Sequence, residues 1–257
     1  MKEITVQQIT DAVRTLCMDV SFDLPRDVEA ALTDGLAKEE SPFGKYCLEQ
    51  ILHNCHLARE SRQAMCQDTG IAVVYLSVGQ DVHIIGGSLT EAIHEGVRQG
   101  YEDGYLRKSV VEEPLFERSN TGDNTPAVIH TEIVPGDVLR IMVVPEGAGS
   151  ENMGAVKMLK PADGLEGAKQ FILDTVRNAG GNPCPPIVVG VGVGGTMEKA
   201  PMLAKQALTR EIGSRNEDPR YAKLEEELLE EVPPPRKLPS KVSSKPPFLN
   251  MVIVPPK

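Results

Sequence analysis

Between residues 5 and 60 the apolar positions recur at helical spacing. Leu24-Pro25-Arg26-Asp27 sets a proline where a first helical turn tolerates it, and Val28, Leu32 and Leu36 form one stripe behind it. Ser41-Pro42 opens a second helix, with Tyr46, Leu48, Ile51, Leu52, Cys55 and Leu57 on its expected buried side. At residues 71–76 the pattern turns into a β-rich run, Ile-Ala-Val-Val-Tyr-Leu, that ends near Gly79. Helical spacing returns over 89–101. Residues 127–134 and 138–144 are strand candidates, and Pro135-Gly136-Asp137 between them predicts a hairpin. Helix follows over 165–177, a buried strand over 187–193, helix over 197–208 and a short acidic helix over 221–231. Helices mixed with an antiparallel element predict an α+β fold: an N-terminal helical region packed on a mixed sheet with flanking helices.

After Glu231 the composition changes. Residues 232–257 hold eight prolines, five Lys or Arg and no acidic residue. The expected division is therefore a folded domain over 1–231 and a proline-rich basic tail over 232–257, extended or disordered. If nothing after Glu231 packs on the body, apolar surface is expected to lie exposed near the 187–193 strand and to invite self-association or a partner chain. The whole chain has 257 residues and a formal net charge of −10, which argues against nucleic acid and an anionic membrane surface as partners. No run of 18 apolar residues predicts a membrane span, and the N-terminus lacks the apolar core of a signal peptide. Five cysteines, an odd number without a dense framework, favour a reducing compartment such as the cytoplasm.

Cys17, Cys47 and Cys55 fall in helical stretches and are expected to be small buried hydrophobes. Cys66 and Cys184 stand apart, flanked by turn formers in Cys66-Gln67-Asp68-Thr69-Gly70 and Asn182-Pro183-Cys184-Pro185-Pro186. A loop thiol in a reducing compartment is a candidate ligand or nucleophile, against the duller reading of an inert thiol. The five histidines form no H-x-x-x-H pair with a matching acid, so a zinc hydrolase gains no support. Gly190, Gly192 and Gly195 match a dinucleotide fingerprint, but no second strand with a terminal acid follows; the alternative is that glycines let a strand turn closely into a helix. Gly149-Ser150-Glu151-Asn152-Met153 either presents amides to a ligand or caps a helix at Ser150. Gly122-Asp123-Asn124-Thr125-Pro126 reads as a turn. Arg107 either sits at a helix end or clamps a carboxylate with two parallel hydrogen bonds.

These segments, in this order, resemble the alpha subunit of the class I, iron–sulfur-dependent fumarate hydratases, the family that also contains L-tartrate dehydratase alpha subunits. The resemblance covers about residues 1–231. It implies reversible addition or loss of water on a dicarboxylate such as fumarate, malate or tartrate. It also implies a [4Fe–4S] cluster held by three cysteines, with Cys66 and Cys184 matching two of them. By the same resemblance Asp68 transfers a proton, while Gln67, Arg107 and Gly149 contact substrate. In two-chain members a beta subunit supplies further basic and catalytic groups, and the expected assembly is a homodimer or a heterotetramer with that subunit. No cysteine follows Cys184. The domain is therefore expected to be C-terminally incomplete, the cluster weakly held or missing, and the isolated chain inactive. The alternative is a cluster-free, non-catalytic subunit that binds a beta partner.

Overall fold

The computed structural model describes residues 2–184, 186–232 and 248–255. In chain order they form β1 (Lys2–Thr5), α1 (Val6–Phe22), α2 (Arg26–Lys38), α3 (Pro42–Ser61), β2 (Ile71–Gly79), β3 (Val82–Ile85), α4 (Leu89–Asp103), β4 (Val128–Val134), β5 (Leu139–Glu146), the single turn α5 (Ala148–Glu151), α6 (Gly164–Ala179), β6 (Ile187–Gly192), α7 (Lys199–Ala207), α8 (Pro219–Glu231) and β7 (Phe248–Val254). Helices with small mixed sheets give the α+β class that the pattern predicts. Among the described residues no helix is long and apolar enough to cross a membrane. The chain divides into two compact units, Met1–Leu24 with His53–Ala148, and Pro25–Leu52 with Gly149–Lys257.

In the first unit, Thr5 starts α1 with a reciprocal cap. Its hydroxyl accepts from the Gln8 amide at 3.2 Å, and the Gln8 side chain accepts from the Thr5 amide at 2.9 Å. The helix then buries Ile9, Val13, Cys17 and Phe22 in a cluster with Ile93, Val97 and Tyr101 of α4 and Ala72, Val74 and Leu76 of β2. Each large apolar side chain so buried contributes about 1.5–3 kcal/mol. The sheet corrects the predicted hairpin. Its order is β4-β2-β5, with β2 parallel to β4 and antiparallel to β5. The most apolar and most buried strand, β2, takes the centre and pairs on both edges. The 134–138 connection arches over its end, where the Gly79, Gln80 and Asp81 amides donate to the carbonyls of Val138, Val134 and Gly136. Glycine is required at 79, because a Cβ there would lie 2.3 Å from the Gly136 carbonyl oxygen. The parallel pair β1–β3 was not anticipated, its strands being only four residues long.

In the second unit α2 and α6–α8 surround the parallel pair β6–β7. The expected disordered tail is corrected at 248–254, which forms β7; residues 233–247 lie outside the described residues. The reason is local. Phe248-Leu249-Asn250-Met251-Val252-Ile253-Val254 is an apolar run hidden inside a basic, proline-rich average. Met251 and Ile253 are buried with Ile172, Leu173 and Val176 of α6, Leu228 of α8 and Val232. The apolar edge expected to lie open beside 187–193 is thus paired with β7. A buried carboxylate, Glu225, fastens the strand: it accepts from the Ile253 amide at 2.9 Å and the Asn216 amide at 3.1 Å, and pairs with Arg210 at 2.8 Å. Asn216 Nδ2 donates to the Ile253 carbonyl at 2.8 Å.

On α3 the expected buried face is corrected in part. Leu48, Leu52 and Cys55 are buried, but Tyr46 and Leu57 are exposed and Cys47 is half-buried. Ser150 lies within α5 and does not cap it.

Candidate active site

The CQDTG segment is fixed from both sides in the first unit. The Met65 amide donates to the Ser21 carbonyl at 3.0 Å, and Asn54 Nδ2 donates to the Met65 carbonyl at 2.7 Å. Cys66 follows, exposed; its thiol reaches Gln67 Oε1 at 3.6 Å and accepts from the Asp68 amide at 3.4 Å. Gln67 is exposed and Asp68 half-buried. The Asp68 carboxylate lies against Gly147, where a Cβ would meet its Oδ2 at 2.8 Å. Any side chain at 147 would push that carboxylate aside.

Thr69 and Gly70, both buried, join this segment to two others. The Thr69 hydroxyl donates to the Arg107 carbonyl at 2.7 Å. Tyr101 of α4 donates to the Thr69 carbonyl at 2.7 Å, and burial holds its phenol protonated far up the pH scale. Asn124 Nδ2 donates to the Gly70 carbonyl at 3.1 Å. Asp123 next to it accepts from Arg98 Nε at 2.9 Å and from the Thr125 amide at 2.9 Å. Partial burial pushes the Asp123 carboxyl up, but the Thr125 amide and hydroxyl and the Arg98 guanidinium outweigh it and hold the carboxyl at about 2.

The structure therefore brings together Cys66, Gln67, Asp68, the Arg107 backbone, the 122–126 turn and Gly147. Arg107 stands in a loop beyond α4, not at its last turn, and its side chain is exposed. Lys108 pairs with Glu102 instead. The sequence reading missed Arg98 and gave Tyr101 no role beyond the helical stripe. A phenol on a buried stripe was the available signal, since its hydroxyl must find a partner.

Cys184 and Gly149 belong to the second unit, where Gly149 lies against the Asn182 backbone two residues before Cys184. A Cβ at Gly149 would lie 3.6 Å from the Asn182 carbonyl oxygen, and Asn182 Nδ2 reaches Met153 Sδ at 3.2 Å. Cys184 is exposed on the loop between α6 and β6. Gly190 and Gly192 have a packing duty: Cβ atoms there would lie 2.3 Å and 1.9 Å from the Ala204 and Ala200 carbonyl oxygens of α7. This close passage of strand and helix, not a phosphate loop, accounts for both glycines.

The donors do not make up the three thiolates of a [4Fe–4S] cluster. Cys66 and Cys184 are two loop thiols, one in each unit. Cys17 is sealed in the core, where burial pushes its thiol up to about 12, Cys55 is buried in α3, and Cys47 is half-buried there. Among the described residues no group of three or more His, Cys, Asp or Glu side chains is placed to hold a metal ion.

A family model for fumarate hydratase (Fumerase) matches residues 10–234. The putative L(+)-tartrate dehydratase subunit alpha of Methanocaldococcus jannaschii is 44% identical over 229 residues, covering 88% of this chain and 80% of that protein. The L(+)-tartrate dehydratase subunits alpha of Escherichia coli K12 and Shigella sonnei are each 32% identical over 233 residues, covering 89% of this chain and 76% of theirs. With the match running through all of the motif segments described above, the chain belongs to the fumarate hydratase (Fumerase) family.

Proposed function

We propose that the chain is the alpha subunit of a hydro-lyase that adds or removes water on a four-carbon dicarboxylate, L(+)-tartrate or fumarate. Family membership and the names of the relatives support the reaction class. The observation that carries the residue roles is the half-buried Asp68 carboxylate, seated on Gly147 within a segment tied to the Arg107 backbone. In elimination, Asp68 takes the proton from the carbon next to a substrate carboxylate, the C–H electron pair becomes the new double bond, and the hydroxyl leaves the neighbouring carbon as hydroxide; Asp68 then releases its proton to solvent, so that one water is lost, and hydration runs the same steps in reverse. Gln67, exposed beside it, offers an amide to the substrate, as does the backbone at Gly149. Arg107 supplies a planar guanidinium for one carboxylate.

Cys66 and Cys184 are proposed as two ligands of a [4Fe–4S] cluster whose third ligand is not among this chain's cysteines. A beta subunit completes the assembly as partner. The test is anaerobic reconstitution of the chain with iron and sulfide, alone and with a beta subunit. The expected result is dehydration of tartrate or hydration of fumarate by the pair and none by the chain alone. A pair that binds iron and sulfide yet turns over neither dicarboxylate sinks the reading. A pair that forms without retaining iron favours a non-catalytic, cluster-free subunit; the donor set is the observation behind that second reading.

A further inference from the structure

Asn124 is fully buried, yet its side chain is polar and fully engaged. Its Oδ1 accepts from the Ser109 amide at 2.6 Å and the Val110 amide at 3.3 Å, while Nδ2 donates to the Gly70 carbonyl at 3.1 Å. One carboxamide thus spans two segments far apart in sequence: the turn that ends CQDTG and the strand of chain just after Arg107. The second segment is itself closed into a loop, with the Thr121 amide donating to the Val110 carbonyl and a bridge between Val111 and Asn120. Asn124 adopts φ +62°, a left-handed conformation that asparagine bears better than other residues with side chains. Its neighbour Asp123 anchors the turn to Arg98 of α4.

We propose that Asn124 is a positioning residue: its carboxamide sets the spacing between the Asp68 segment and the Arg107 segment, and so between the proton-transferring carboxylate and the group that orients the substrate. The proposal rests on the reading of Asp68 and Arg107 given above. The chemistry is specific to an amide, because one end must accept from two N–H groups and the other must donate to a carbonyl. A carboxylate of the same shape keeps the first duty and fails the second, facing the Gly70 carbonyl with an acceptor. An aliphatic replacement fails both.

The test uses the full chain and needs no turnover, so its failure is distinct from failure of the proposed reaction. Site-resolved alkylation compares Cys66, on the affected segment, with Cys184, in the other unit, as internal reference. In folded Asn124→Asp, with Cys17 and Cys55 still protected, the Cys66:Cys184 rate ratio should shift by roughly two- to tenfold, the effect of losing one buried hydrogen bond. Amide exchange at Ser109 and Val110 should stay slow in this variant and become fast in Asn124→Ala. A space-filling role for Asn124 predicts that the isosteric Asp variant keeps the wild-type ratio, and that result overturns the proposal. The wild-type chain supplies a check that needs no variant: slow exchange at both amides supports the tie, and exchange at the rate of an open loop refutes it. In the alpha–beta pair, kcat should fall in Asn124→Asp more than KM rises; a pair inactive even with wild-type Asn124 counts against the Asp68 mechanism, while the alkylation ratio still judges the tie.

Discussion

Asp68 is held by its surroundings more than by any charged partner. Its carboxylate occupies the space where a Cβ of residue 147 would stand, so Gly147→Ala should displace it by steric contact alone. In the alpha–beta pair, Asp68→Asn should lower turnover by ~10²–10⁴-fold while iron content is unchanged. Near wild-type turnover of that variant would remove Asp68 from the mechanism. Asp123 makes a separate prediction in pH. Its carboxyl is held at about 2 in the folded chain, below the ordinary aspartate value of 3.8, so it contributes stability above that ordinary value. That contribution is lost as pH falls from about 4 through about 2, and protection of the amides at 122–125, taken relative to the unstructured exchange rate at each pH, should fall over that window. Unchanged protection across that range would refute it. Cys17 behaves in the opposite sense: with its thiol raised to about 12 it stays protonated, and alkylation of the native chain should reach Cys66 and Cys184 long before it.

At the scale of elements, β7 is the most instructive segment. Its docking depends on Glu225, which answers the Ile253 and Asn216 amides and Arg210 at once. Glu225→Ala should cost about 3 kcal/mol, because it strands a cation and two amides. A lowered thermal midpoint checks this, and an unchanged one would mean that β7 is not held by that carboxylate. The strand also shows where sequence reading failed. Averaging 232–257 as one basic, proline-rich segment concealed seven residues with enough apolar content to pair with β6. The hairpin expectation failed for another reason: turn chemistry at Pro135-Gly136-Asp137 was read correctly as a reversal, but spacing along the chain cannot say that a third strand, β2, enters between its arms. The long helices α4 and α6 were legible because their amphipathic stripes are unbroken.

For the whole molecule, the motifs told more than the periodicity did. Cys66, Gln67 and Asp68 were legible as a site because a thiol, an amide and a carboxylate share one turn; the ties through Thr69, Tyr101 and Asn124 were not, since each joins residues more than thirty positions apart along the chain or depends on a buried polar side chain in an ordinary-looking helix or turn. Residues 1–231 carry all of the chain's acidic groups against 22 Lys and Arg. A partner that supplies basic groups for a dianionic substrate should therefore associate more slowly as salt is raised, a dependence that stopped-flow mixing would measure. Association indifferent to salt would locate the attraction in apolar contacts instead.

The two units are built from alternating stretches of chain: 1–24 and 53–148 in one, 25–52 and 149 onward in the other. No single contiguous piece of the gene therefore encodes either unit. A fragment covering 53–148 carries the Asp68 segment but leaves behind α1, and with it Ile9, Val13, Cys17 and Phe22 of the core on which that segment sits. A single protease cut at any of the crossings, two of which fall inside α3 and α5, releases nothing whole. Dissection by truncation, the ordinary way to ask which half of a protein binds what, is closed to this chain; its halves must be interrogated in place, by point substitutions and by probes that report on one segment at a time.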